Sequence, residues 1–477
     1  MLLITGVKWV ALSQISRALS QLVLIFVLAR YLTPYDYGLI SIVSVVAAFA
    51  MLFRDMGTSS ILIQRRRISE NFIKSTYTLN FISGLVIFIV MTLLAYPISL
   101  FYNDTRLFLL ILIISFSFPL QSFIAFNFAL LERDQQFNIT ALIELISLSI
   151  SIIVVFIVIA MGFGLYAVSL QALLYAIIVV FLLSLKNRRK YKFAWRMKYI
   201  KLIFGYCVNV MSFNMVNYFS RNADNIIVGK VFGQYVLGNY ALAYRLMLFP
   251  VQNITYIFNR ALLPKLSHSK DIITKKRIYL DSLKFIAVLS IPAMIGLASL
   301  SNELVFFLFG KNWDNAALLL KWLAPVGIIQ ALTSTTGVVF LSLGNVKLLA
   351  RIGCVSAIIQ VMSFVIGACF NIVIFCQLYL CANVLIFYIC FYYVMRLLQG
   401  NIKNILCITC KPLFCSVCML ILILVAKNNF ITQSNNMELL SLIYYIVIGV
   451  GSYVCLMFII DKNTIVGLLN NALPKRK

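Results

Sequence analysis

Residues 139–161 read ITALIELISLSISIIVVFIVIAM, a stretch with a single charge, Glu144. Its apolar residues follow neither the one-sided stripe of a helix lying on a soluble core nor the alternation of a half-buried strand; they occupy every side. A helix rising 1.5 Å per residue needs about 20 apolar residues to cross about 30 Å of hydrocarbon. Lipid offers no water to the backbone N–H and C=O groups, so such a run must pair them internally as a helix. It is too long and too uniformly apolar for a strand of a membrane barrel.

Runs of the same kind recur along the whole chain. They predict an all-α, polytopic membrane protein of about fourteen spans: 9–30, 38–62, 76–100, 107–131, 139–161, 164–185, 202–228, 236–262, 281–309, 316–342, 350–371, 374–395, 411–426 and 439–460. Composition agrees. Of 477 residues 62% are hydrophobic and only 11% charged, with a mean hydropathy of +0.99, where a soluble domain carries about 25% charged residues. The first run continues past Arg17 to Arg30 with no small-residue cleavage site, so it reads as a resident helix and not a signal peptide.

The net charge of +26 would suggest nucleic acid in a soluble protein, but here the basic residues sit in short loops between spans. With the N-terminus placed in the cytoplasm, twenty-eight of the forty Lys and Arg residues fall on the inside, five (Arg30, Arg106, Lys230, Lys311, Lys427) outside, and seven within spans. That asymmetry predicts an inner-membrane protein with both termini cytoplasmic and no nucleic-acid partner. No predicted extracytoplasmic loop is long, whereas a glycan polymerase or transferase needs a sizeable loop or domain for its site; a transporter is expected, not an enzyme, and no cofactor.

Most of the eleven cysteines lie in apolar runs as small hydrophobes. Cys407-x-x-Cys410 and Cys415-x-x-Cys418 are separated by four residues, too few for the usual two-pair zinc site, so no metal is expected. His268, the one histidine, reads as a solvated residue of a basic loop.

An internal repeat gives the organisation. Arg30-Tyr31-Leu32-Thr33-Pro34-Tyr35-Asp36-Tyr37-Gly38 and Lys230-Val231-Phe232-Gly233-Gln234-Tyr235-Val236-Leu237-Gly238 share the pattern basic-x4-Tyr-x2-Gly at an offset of 200, which also pairs 61–65 with 261–265. The first and seventh spans run in the same direction. Parallel repeats are therefore expected: an N-terminal lobe (1–185), a basic linker (186–201), a C-terminal lobe (202–397) and a further helix pair with a tail (398–477), with a cavity between lobes that rock in alternating access. Gly38 and Gly238 read as turn residues. Tyr31, Tyr35, Tyr37, Tyr235, Tyr240 and Tyr244 read mostly as an interfacial aromatic belt.

The seven basic residues within spans are Arg17, Arg54, Arg221, Arg245, Arg260, Lys284 and Lys321. A lone Arg at mid-bilayer costs at least about 2.5–3.5 kcal/mol, so such residues face water or acidic partners. The lysines are expected to snorkel to the headgroups, and so is Arg260 if it lies near a helix end; the arginines are otherwise candidate lining of a cationic cavity. The acidic candidates for pairing or ion coupling are Asp55, Glu144 and Asp224, with Glu303 near a span end. Arg221 and Asp224 stand i,i+3 on one helix and can pair, as a structural bridge or as part of a cation site. Surplus guanidinium suits an anionic cargo, since Arg grips phosphate with paired hydrogen bonds.

The stretches LARYLTPYDYGLISI (28–42), FRDMGTSSILIQRR (53–66) and RNADNIIVGKVFGQYVLGNYALAYRLMLFP (221–250) resemble polysaccharide exporters of the Wzx type, in the multidrug/oligosaccharidyl-lipid/polysaccharide flippase superfamily. The resemblance implies twelve helices in two six-helix lobes plus two C-terminal helices. It also implies a cationic cavity, and translocation of undecaprenyl-pyrophosphate-linked repeat units for surface polysaccharide, in company with a polymerase and glycosyltransferases. It carries no ion-site motif. A small-molecule efflux pump and a lipid II flippase of the same superfamily are the competing expectations.

Overall fold

The computed structural model describes residues 2–55, 57–65, 68–186, 193–269, 271–429 and 438–461, with some side chains inside helices excepted. The described residues are helical throughout and contain no strand. Residues 187–192 of the basic linker and the tail 462–477 lie outside them. The chain divides into two compact units, Met1–Gly238 and Asn239–Lys477.

The first unit holds α1 (Leu2–Tyr31), α2 (Pro34–Asp55), α3 (Thr58–Gln64), α4 (Glu70–Phe101), α5 (Arg106–Ser115), α6 (Ser117–Arg133), α7 (Phe137–Ala160), α8 (Ala167–Lys186) and α9 (Met197–Val231), and takes in the start of α10 (Gly233–His268). The second continues with α11 (Ile272–Ser299), α12 (Ser301–Phe309), α13 (Asp314–Thr333), α14 (Thr336–Ser342), α15 (Val346–Ala368), α16 (Ile372–Leu397), α17 (Ile402–Asn429) and α18 (Glu438–Ile460). The division between the two units falls within α10, and α9 packs on α2, α3 and α4. Four expected spans are each broken once: α2 from α3 at Gly57, whose φ of 82° favours glycine, α5 from α6 at Phe116, α11 from α12 at Leu300, and α13 from α14 at Ser334–Thr335.

Among the described residues twelve helical segments are long and apolar enough to cross a membrane. The expected seventh and eighth spans, α9 and α10, are longer still at 35 and 36 residues but more polar. The thirteenth expected span, 411–426, is longer than its apolar core suggested: α17 begins at Ile402, and Lys411 and Pro412 lie inside it. Both Cys pairs therefore sit on one helix, and no metal-binding cluster occurs among the described residues.

The repeat glycines are not turn residues. Thr33 caps α2, its Oγ1 accepting from the Asp36 N–H at 3.2 Å and donating to Asp36 Oδ2 at 2.7 Å, and Pro34 supplies a preset φ at the first helical position. The turn into α10 is made by Gly233, with φ 83°. Gly38 and Gly238 lie one turn further on, inside α2 and α10, where the two helices cross in van der Waals contact of backbone on backbone. A Cβ on Gly38 would stand 1.9 Å from the Gln234 carbonyl oxygen, and a Cβ on Gly238 1.8 Å from that of Pro34. The contact is reciprocal at the offset of 200. Lipid supplies no hydrophobic drive between helices, so close backbone approach through small residues is what holds such a crossing.

Neighbouring side chains lock it. Lys230 Nζ donates to the Phe101 carbonyl at 2.6 Å and Gln234 Nε2 to that of Tyr102 at 2.5 Å, satisfying the open C-terminal end of α4. Arg106 bonds Asp104 through Nε (3.2 Å) and Nη2 (3.0 Å), reaches Asp36 at 3.3 Å and covers the Tyr35 ring, whose hydroxyl donates to Asp104 at 2.8 Å. Burial works to raise the Asp104 pKa, but the hydrogen bonds from Arg106 and Tyr35 outweigh it and hold the carboxyl below its usual range. The expected tyrosine belt divides accordingly. Tyr31 and Tyr235 are exposed, while Tyr37 and Tyr240 are fully buried, because α2 and α10 start early enough to turn them into the core.

In the second unit α17 and α18 dock on α11 and α12 through Val288, Met419, Ile423, Tyr453 and Met457. Tyr453 donates to the Val288 carbonyl at 2.8 Å, Lys427 pairs with Glu303 at 2.6 Å, and Asp461 receives both Lys284 (2.8 Å) and Lys411 (3.5 Å). Lys284 thus ends on a carboxylate, where snorkelling was expected; Lys321 is exposed.

Candidate functional site

The polar groups of the first unit gather along particular helix faces. On α7, Thr140, Glu144, Ser147 and Ser151 fall at spacings of three and four, and all are buried. α1 packs on that helix and brings Arg17 to Glu144 as an ion pair. The pair is lopsided: the Glu144 side chain is 7% exposed and that of Arg17 52%. The carboxylate is thus the desolvated partner, dependent on its cation, while the guanidinium keeps open faces. Glu132 at the end of α6 and Tyr175 of α8 lie near enough to interact with the pair through charge.

A second group lies among α2, α3, α4 and α6. Arg54 Nη1 donates to Gln121 Oε1 at 3.2 Å, the Ser83 hydroxyl donates to the Arg54 carbonyl at 3.3 Å, and Thr58 donates to Asn80 at 2.8 Å. Asp55 is the last residue of α2, and its side chain lies outside those described.

On α9, Arg221 is exposed whereas Asp224 is 1% exposed. Asp224 Oδ1 accepts from the Asn225 backbone N–H at 2.7 Å and from its Nδ2 at 3.1 Å, and among the described residues no ion pair joins Arg221 to Asp224. Residues i and i+3 stand about 60° apart around a helix, enough for one to lie at the rim and the other in the core. Tyr218, on the same helix, donates to the Val45 carbonyl at 2.6 Å. In the second unit Arg245 is half-buried on α10; the Arg260 side chain lies outside those described.

Of the candidates taken from sequence, then, the structure joins Arg17 with Glu144 and gives Arg54 a neutral partner. The polar residues that line these faces, namely Gln121, Asn80, Ser83, Ser147 and Glu132, are not singled out by a search for charge within apolar runs. Their signal is spacing: Ser147 and Ser151 follow Glu144 at three and seven, and Gln121 follows Ser117 at four. The arrangement offers exposed guanidinium inside the apolar part of the chain, backed by buried carboxylate.

Several known proteins resemble this chain. The chain is 28% identical to teichuronic acid biosynthesis protein TuaB of Bacillus subtilis (strain 168), over 72% of each chain. It is 25% identical to lipopolysaccharide biosynthesis protein WzxC of Escherichia coli (strain K12), over 76% of this chain and 75% of that one. Its fold is similar to that of a solved structure of lipid II flippase MurJ, with a TM-score of 0.76 at 17% identity over 97% of this chain and all of that one. Residues 27–318 match the family described as polysaccharide biosynthesis protein. With more than half its length so matched, this multi-pass membrane chain belongs to the polysaccharide biosynthesis protein family.

Proposed function

We propose that the protein is an exporter of the flippase kind, moving undecaprenyl-pyrophosphate-linked oligosaccharide repeat units across the bacterial inner membrane by alternating access. Both termini are on the cytoplasmic side, and the product serves O-antigen, capsule or exopolysaccharide assembly, alongside a polymerase and glycosyltransferases. The observation that carries this reading is Arg17. A guanidinium held at membrane depth by a buried carboxylate, yet half open, is suited to a diphosphate, whose oxygens accept paired hydrogen bonds from it. Arg54, Arg221, Arg245 and Arg260 are the further cationic contacts of the cargo; Asp55, Glu144 and Asp224 are the groups through which an ion gradient would act.

The test is complementation of a deletion strain. Arg17→Ala, Arg221→Ala and Arg245→Ala should each lose surface polysaccharide while reaching the membrane at normal levels. Full export by all three removes the anion-binding argument. The fold likeness to a lipid II flippase favours that cargo as a second reading; loss of viability on deletion, rather than loss of surface glycan, would select it. Drug sensitivity with normal surface glycan would instead point to efflux.

A further inference from the structure

α15 and α16 form an antiparallel pair joined by a short connection, and α15 is the most open of the spanning helices, with 11% of its apolar window buried. At one end of the pair they enclose a groove of about 440 Å³, within the size range of small-ligand sites. One wall is Leu348, Arg351, Ile352 and Val355, at the spacing of a single helix face; the other is Tyr388, Ile389, Tyr392 and Tyr393. Arg351 is five residues into α15 and Tyr392 five residues from the end of α16, so both lie about 7–8 Å inside the helix ends. That is the depth at which hydrocarbon gives way to headgroups, and this end of the pair is the basic one, with Lys347 in the first turn of α15 and Arg396 in the last turn of α16.

Within the groove Arg351 is exposed, and among the described residues no carboxylate pairs with it. Tyr388 and Tyr392 are 59% and 45% exposed. Away from the basic end the groove runs into a lipid-facing stripe of Val355, Ile358, Met362 and Val365, between 45% and 63% exposed. Residues so apolar do not line water. One positive charge with hydroxyl donors at headgroup depth, followed by an apolar track down one leaflet, matches the plan of one class of molecule.

We propose that this groove binds an anionic glycerophospholipid of the surrounding bilayer. Arg351 and the hydroxyls of Tyr388 and Tyr392 hold the phosphodiester, and an acyl chain lies along Val355, Ile358 and Met362. A single guanidinium balances the single charge of a phosphodiester; a diphosphate carrier would leave at least one charge over. Basic pockets between spanning helices are a recurrent way of holding acidic headgroups.

The full-length protein would be placed in nanodiscs of equal parts phosphatidylglycerol and phosphatidylcholine, then released, and the retained lipid counted by native mass spectrometry. The wild type should keep phosphatidylglycerol in preference. R351Q should lower that preference by about tenfold or more, because the phosphate of phosphatidylcholine keeps its own choline countercharge whereas that of phosphatidylglycerol depends on the guanidinium. R396Q, exposed and outside the groove, should keep it. Unchanged preference in R351Q overturns the proposal. So does displacement of phosphatidylglycerol from the wild type by an equal concentration of undecaprenyl diphosphate, which would give the groove to the carrier. Should R351Q not assemble, V355W fills the groove from its lipid-facing wall and is read the same way.

Discussion

Replacing Gly38 with alanine tests the crossing of α2 and α10 most directly. The new methyl would sit 1.9 Å from the Gln234 carbonyl oxygen, with the carbonyl carbon at 2.8 Å and Cα at 3.2 Å. Carbon and oxygen ordinarily come no closer than about 3.3 Å, so the helices must part by more than 1 Å at this point. The obstacle is backbone, which cannot swing aside as a side chain can. Overpacking of this kind costs about 1–3 kcal/mol, and the upper end is expected because separation also pulls Gln234 and Lys230 from the carbonyls that end α4. For a unit of this size about 3 kcal/mol lowers the melting midpoint by roughly 6–12 °C. Gly238→Ala, meeting Pro34 oxygen at 1.8 Å, should do the same. Once the first substitution has opened the contact the second meets less resistance, so the double variant should fall short of the sum. Gly451→Ala on α18, where a Cβ meets nothing within 4 Å, is the control and should not lower the midpoint. The measurement is thermal unfolding of the purified protein in one detergent. A Gly38→Ala midpoint equal to that of Gly451→Ala, or strictly additive losses in the double variant, would refute the reasoning.

Three further outcomes follow from the same geometry. Arg17→Ala should destabilise more than Glu144→Gln, by about 2 kcal/mol against about 1, because it strands the buried member of the pair while the reverse change leaves an arginine with access to solvent; equal losses in a melting comparison would contradict the lopsided burial. Asp104 has a folded pKa below its unfolded value, so its contribution is full above about pH 4 and disappears as pH falls through the lower folded value. The wild type should accordingly lose more stability than Asp104→Asn on acidification below pH 4, and parallel curves would count against the Arg106 cluster. Asp461→Asn removes the carboxylate shared by Lys284 and Lys411 and leaves two ammonium groups facing each other. The thermal midpoint of the purified protein should then fall, and an unchanged midpoint would show that the apolar docking of these helices suffices.

Much of the fold was legible in the order of residues. Fourteen apolar runs map onto helices because lipid forbids other backbone arrangements, and the map survives four internal breaks: Gly57, Phe116 and Ser334–Thr335 bend a span without ending it, and at Leu300 the span ends and the short helix α12 follows. What escaped was decided by neighbours. Nothing in basic-x4-Tyr-x2-Gly says whether the glycine turns the chain or lets another helix approach; Gly233, outside the shared positions, already makes the turn. Tyr37 and Tyr240 could not be told from belt residues without knowing where α2 and α10 begin. The site was legible in its charges and not in its partners. Arg17 and Glu144 are 127 positions apart, and Arg221 and Asp224, three apart, are divided between rim and core. Neutral contributors such as Gln121 and Asn80 carry no charge to draw attention, only their spacing.

The paired contact of Pro34 with Gly238 and Gln234 with Gly38 has a consequence for how the sequence can change. It is self-complementary in the manner of a two-fold dimer interface, one patch used twice, although both copies now lie on one chain. In a two-fold homodimer any substitution at the glycine would strike both sides at once. On a single chain the two sides are free to differ, and the first residue of each pair already does, proline in one and glutamine in the other. The glycines have not parted company, since relief for a larger residue at either would have to come from backbone 200 positions away.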